Sequence, residues 1–276
     1  SAASKESVGC WLRTAARIEI FSDRFEVDAT TREAVAISTN STGPSVAPRH
    51  VSRAARRCET RHVMVDPSAA EVEQWLRAHG ADDGSAVGLA IATGVGVGVA
   101  VAGARAGFAA ADAPSVIAAV DGALRPRWVW WDRATADPLA TAGVPITRCW
   151  DVLTVHRLVH GGWRTSVAHA WAWLHGLPAS SLPAMGQLGL LDDHGDEGDD
   201  PEDPVRPDGH LRPEWATGGW AATPGRLGAW AGLALAAMDM QQQLVEASDT
   251  AQPDRVLSTA RSESAAEFLC AELSTA

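Results

Sequence analysis

Residues 86–104 run for nineteen positions without a charge, and no other segment constrains the fold as tightly. An apolar run of that length approaches what a membrane helix needs, and Gly94-x-x-x-Gly98 fits a helix-dimer motif. The internal pattern points elsewhere. Val95-Gly96-Val97-Gly98-Val99 alternates with period two, the period of a strand. Glycine at every second position favours a bent strand pair, and Arg105 closes the run at once. Two adjacent strands are therefore expected, 87–92 and 95–101, joined by a tight turn at Thr93-Gly94, with no membrane span.

The remaining pattern supplies the other elements. His62-Val-Met-Val65 reads as a short strand. Asp66-Pro-Ser-Ala-Ala-Glu71 opens a helix that runs through Trp75 and Leu76 to Gly80. Residues 107–110 suggest a third strand of the glycine-rich set. Residues 114–124 form an amphipathic helix with Val116, Ile117, Val120 and Leu124 on one face. Trp128 to Trp131 is a buried strand, and 134–142 a helix stopped by Gly143. Beyond Asp151 helices are expected over 152–160, 167–175, 211–217, 223–248 and 261–276. Strands first and helices later imply an α/β or α+β layer with a helical flank. Residues 1–60 read as an irregular extension, with Met64 a natural start. The last helix runs to residue 276 without a cap, so a larger protein is expected.

Charge and rare residues narrow the chemistry. The net charge of −11 argues against a chain coated for nucleic acid. Eight of the 34 acids lie between Asp192 and Asp203 with no base among them; setting those eight aside leaves −3. Local contact of arginines with DNA therefore stays open. Lys5 is the sole lysine, which excludes a Walker A site and a core Schiff-base lysine. Cys10, Cys58, Cys149 and Cys270 are scattered, so a cysteine zinc site is not expected and reduced cytosolic thiols are. No basic n-region precedes an apolar h-region, so no signal peptide is expected.

The order of elements resembles the 3′–5′ exonuclease domain of family A (DNA polymerase I type) DNA polymerases. It is most similar to the bifunctional 3′–5′ exonuclease/DNA polymerase subgroup of GC-rich bacteria. Val87-Gly-Leu-Ala-Ile-Ala92 resembles that domain's second strand. Residues 128–144 resemble its exo II strand and helix, and Cys149-Trp-Asp151 its Phe-Asp-Thr segment. Residues 228–239 resemble the exo III helix, and 261–273 the helix leading into the polymerase thumb. The resemblance implies a ribonuclease-H-like exonuclease fold, with a mixed sheet of four to five strands flanked by helices. It implies an extension over 1–60, an exonuclease-like domain over 61–255 with an acidic loop at 190–210, and the start of the thumb helix at 256–276. It further implies a cytoplasmic, nucleoid-associated monomer. The parent polymerase would use Mg²⁺ and bind primer–template DNA, with its own chemistry beyond residue 276.

The active family holds two divalent metals with four acids, because hard cations need oxygen ligands and negative charge. Here the acid-bearing first strand is missing from the sequence reading. The exo II acid aligns with Thr135 and its preceding Asn with Trp131; the exo III Tyr aligns with Trp230 and the Asp with Ala234. The expectation is a nuclease fold without nuclease chemistry, with no metal and no cofactor in this segment. The rival is an active exonuclease that uses displaced acids: Asp132, Asp137, Asp151 and Asp239. Against this, Asp132 and Asp137 fit a helix start, with Pro138 supporting an N1 role after Asp137, and Asp151 fits an N-cap. A third class is a non-enzymatic DNA-binding or scaffold module, in which Arg125, Arg127, Arg133, Arg148 and Arg164 touch phosphates. His156 and His160 have a zinc-like i, i+4 spacing but no third ligand, so a solvent-facing pair is expected. The acidic run 192–203 lacks EF-hand spacing and reads as a solvated insertion. The tryptophans are expected to fill the core rather than stack on bases.

Overall fold

The valine–glycine run lies inside a sheet, as its period requires. In the computed structural model, residues 67–162, 165–179, 200–216, 221, 223–248 and 252–275 are described. Five strands, β1 (Ala86–Ala92), β2 (Gly96–Val101), β3 (Ala104–Ala109), β4 (Arg127–Trp130) and β5 (Cys149–Asp151), stand in the order β3-β2-β1-β4-β5. β2 is antiparallel to both neighbours, while β1–β4 and β4–β5 are parallel. Among the described residues eight helices accompany them: α1 (Pro67–Ala78), α2 (Ala113–Leu124), α3 (Arg133–Thr141), α4 (Val152–His160), α5 (Val167–Leu174), α6 (Pro213–Ala216), α7 (Pro224–Glu246) and α8 (Pro253–Thr275). The chain is thus a mixed α/β protein whose five-stranded sheet is flanked by helices.

The two faces of the sheet carry different residues, and the alternation explains why. Val87, Leu89, Ile91, Val97, Val99, Trp128 and Trp130 point to one face. There they meet Val72, Leu76, Val116, Ile117, Leu139 and Phe268, contributed by α1, α2, α3 and the end of α8. On the other face β1, β2 and β3 present little but glycine and alanine, and α7 lies directly on them. A methyl group on Gly88 would stand 2.9 Å from the carbonyl carbon of Ala231. One on Gly107 would stand 2.8 Å from the amide nitrogen of Gly225. The helix returns the same accommodation, since a methyl on Gly228 would lie 2.7 Å from the carbonyl oxygen of Ala106. Helix and sheet therefore touch backbone to backbone. The period-two glycines are the space into which α7 fits.

Several expectations are corrected. Residues 87–92, expected as a strand, form β1, the central strand, with both edges filled, by β2 and by β4. A buried apolar strand reads alike wherever it sits; only its partners locate it. Asp132, not Asp137, caps α3, accepting the Ala134 N–H at 3.0 Å, and Pro138 lies inside the helix. Of the described part of the expected helix 211–217, Pro213–Ala216 is helical, and Leu211 instead pairs with Val205 in an antiparallel bridge. α8 begins at Pro253, eight residues before the expected 261, and joins the rest of the fold. Its Ser264 hydroxyl accepts the Asp151 N–H at 3.0 Å, and the Phe268 ring lies 5.8 Å from Trp130.

No helix among the described residues is long and apolar enough to cross a membrane. The expectations for 1–60, for the strand 62–65 and for acidic positions 192–199 lie outside the described residues.

Candidate functional site

Four pieces of chain converge beyond the C-terminal ends of the parallel strands: the end of β1, the β4–α3 turn, the β5–α4 turn and a face of α7. Trp131 leaves β4 toward α7, and its Nε1–H donates to the Trp230 carbonyl at 3.3 Å. The Trp131 ring lies 5.3 Å from that of Trp230 and 6.2 Å from that of Trp171; Trp215 lies 6.1 Å from Trp230. All four indoles are buried. Ala90 and Ala234 belong to the same apolar cluster, and Thr135 is buried in α3 one turn beyond Asp132. An indole, a methyl group and a lone hydroxyl hold this place, and none supplies a carboxylate.

The candidate acids are distributed around it rather than gathered in it. Asp151 is 2 % exposed. One of its oxygens accepts the Thr154 N–H at 2.8 Å, which makes it the expected N-cap of α4; the other accepts Trp130 Nε1–H at 3.1 Å. Burial raises its pKa to about 6 against the pull of those bonds, and the nearby Asp132 raises it further. Burial likewise raises the half-buried Asp132, opposed by its bond from Ala134 and assisted by Asp137. Asp137 accepts from Arg133 Nε at 3.0 Å. Asp132 thus acts on Asp151, and Asp137 on Asp132. Asp239 does not join them: five residues past Ala234, it lies about 140° further round α7, on the exposed side. Among the described residues no group of three or more His, Cys, Asp or Glu side chains is arranged to hold a metal ion.

The candidate arginines divide between the two ends of the parallel strands. Arg133 stands beside the cluster, paired with Asp137. Arg125, Arg127 and Arg148 lie at the opposite end, where β4 and β5 begin. Arg148 Nη1 donates to Asp83 at 2.8 Å and to the Arg125 carbonyl at 3.1 Å, and Arg125 Nε lies 3.7 Å from the same Asp83. Arg164 lies outside the described residues.

The histidine pair is not solvent-facing. His156 is 1 % exposed, between His160 at 4.9 Å and Trp173 at 5.1 Å. Burial, then the nearby His160, His169 and Arg157, lowers its pKa to about 3, and its Nδ1 has no hydrogen-bond partner. Helical spacing read α4 as a surface helix, but α5 covers the side on which His156 sits.

Among the buried polar residues not anticipated from the sequence, two tie elements together. Gln241, fully buried in α7, donates to the Val152 carbonyl and accepts from Trp150 Nε1–H, both at 2.9 Å. It thereby ties α7 to the β5–α4 turn. Asp121 accepts Trp128 Nε1–H at 2.9 Å from below the sheet. The signal for Gln241 was weak, because Gln241-Gln242-Gln243 reads as the polar end of a helix. As for the described end of the acidic run, Glu202 is exposed and bound to Arg226 at 2.9 Å.

No family model, no curated protein and no solved structure matches this chain.

Proposed function

We propose that this chain is a ribonuclease-H-like, 3′–5′ exonuclease-type domain of a family A DNA polymerase that has lost its metal chemistry and serves as a rigid, DNA-facing platform. The mixed sheet, with β2 alone running against its neighbours, is compatible with that fold. A two-metal nuclease needs acids from separate segments brought within a few ångströms of one cation pair. β1, the β4–α3 turn and α7 meet in this way, and β1 takes the place of the strand that looked missing. Its Ala90 faces α7 with no oxygen to offer.

One observation carries the proposal: the Trp131 and Trp230 rings, 5.3 Å apart and joined by an indole-to-carbonyl bond, fill the convergence point. The residues present therefore do not fit a metal pair, and no hydrolytic step is derived through one. The test is an exonuclease assay of the purified protein on single-stranded DNA with Mg²⁺ and with Mn²⁺. No turnover is expected. Turnover abolished by a single carboxylate substitution would refute the proposal.

A second reading keeps the nuclease active through displaced acids, favoured by the electrostatic influence of Asp132 on Asp151 and of Asp137 on Asp132. It has to contend with Asp151, whose two oxygens are already engaged inside the protein. Stoichiometric Mn²⁺ binding lost in Asp132→Asn would favour this reading. DNA affinity that ignores metal and falls with salt would favour the platform.

A further inference from the structure

The end of the parallel strands opposite the tryptophan cluster gathers positive charge that its described carboxylates only partly offset. Arg127 opens β4, and the next residue's N–H donates to the Arg148 carbonyl at 3.1 Å, which sets Arg127 beside Arg148. Arg125 completes the turn leading into β4. Arg261 comes from α8, one turn before Ser264, whose hydroxyl holds the end of β5. Asp83 and Asp121 are among the carboxylates nearby. Asp83 is shared by Arg125 and Arg148, and Asp121 is buried and occupied by Trp128 Nε1–H and the Thr147 hydroxyl.

Among the described residues, neither the Arg127 nor the Arg261 guanidinium has a hydrogen-bond or ion-pair partner. Arg127 is half-buried, so it gives up hydration without a protein counter-charge in return. The groups that raise its electrostatic cost are the other arginines, Arg261 ahead of Arg148. In a chain of net charge −11, such a cluster is not the product of a generally basic surface.

We propose that Arg127, Arg148 and Arg261 form a binding site for a phosphate-type oxyanion, distinct from the tryptophan-filled convergence point. Planar guanidinium forks match the paired oxygens of a phosphate and make charge-assisted bonds to it. The shared chemistry is that of the phosphate group, carried either by free phosphate or by a nucleic acid. This site does not depend on the nuclease reading, because it lies at the other end of the parallel strands and uses none of the nuclease positions.

The experiment is calorimetric titration of the full chain at low ionic strength with three probes: inorganic phosphate, a single-stranded decanucleotide bearing a 5′-phosphate, and the same decanucleotide without it. Saturable binding of at least one probe is expected, weakened about tenfold or more by Arg127→Gln and by Arg261→Gln. Arg206→Gln, at an exposed pair with Asp208, should leave it unchanged. Binding of phosphate alone assigns a free anion, binding of the phosphorylated strand over its partner assigns a terminal phosphate, and equal binding of both strands assigns internal phosphodiesters. Each of these supports the site. Arg261 is exposed, so its variant remains informative even where Arg127→Gln disturbs folding. The proposal is overturned when no probe binds at millimolar concentration, or when Arg261→Gln binds as wild type does.

Discussion

Replacing Gly88 by alanine tests whether α7 rests on the sheet as described. The new methyl would stand 2.9 Å from the Ala231 carbonyl carbon, closer still to its oxygen, and 3.3 Å from Ala100 Cβ. Ordinary contact begins near 3.4 Å, so the helix would have to retreat by roughly 1 Å in an interior that compresses little. It cannot tilt away alone, because Gly98 and Gly107 hold its earlier turns to β2 and β3 just as tightly. Overpacking of this kind costs about 1–3 kcal/mol, and backbone obstacles place it near the upper end. The loss of unfolded-state freedom returns about 0.4–1 kcal/mol. The net expectation is a loss of about 2 kcal/mol, or about 4–8 °C in Tm for a domain of this size. Gly122 is the control: it lies in α2, and a methyl there meets nothing within 4 Å. Gly122→Ala should stabilise by up to about 1 kcal/mol through helix propensity. Urea denaturation followed by tryptophan fluorescence measures both. Were Gly88→Ala within about 0.5 kcal/mol of wild type while Gly122→Ala behaved as expected, the backbone seating of α7 would be wrong.

Other outcomes follow from the buried polar groups. Gln241→Leu leaves Trp150 Nε1–H and the Val152 carbonyl unpaired in the interior, and should cost about 2–4 kcal/mol in denaturant titration. Asp151 and His156 pull stability in opposite directions with pH. The Asp151 carboxyl, raised to about 6, holds its proton more tightly folded than unfolded, so its contribution is fullest below about pH 4 and declines as pH rises through 6. His156, lowered to about 3, contributes stability above about pH 6.5 that is lost as pH falls toward 3. Each slope is at most about 1.4 kcal/mol per pH unit. Relative to wild type, His156→Phe should lose stability as pH rises from 4 to 6, and Asp151→Asn should gain it; parallel curves for all three proteins would refute the assignment. Peptide-resolved thiol labelling should modify the exposed Cys270 at pH 8 and spare Cys149, whose thiol burial pushes to about 12.

The valine–glycine alternation was legible because strand geometry sends successive residues to opposite faces. It told correctly that 86–104 makes paired strands, and it contained, unrecognised, the seat of a helix more than a hundred residues later. The place of β1 in the sheet was not legible, since a strand's residues record its burial and not its neighbours. The start of α8 was written in Pro253-Asp254, a common opening for a helix, but the apolar spacing after Arg261 drew the boundary too late. Asp151 as a cap followed from local chemistry and holds. The burial of His156 depends on where α5 lies, and the clasp of Gln241 on a turn some ninety residues away; no local pattern carries either.

A helix seated this low leaves little room for second thoughts. A carboxylate placed at Ala90 would need space and hydration under a backbone already at van der Waals distance, and the two indoles beyond it would have to vacate the hollow in the same step. Charge at this centre is therefore out of reach of any single codon change, so descendants of this chain are more free to elaborate its outer surface than to rebuild its interior.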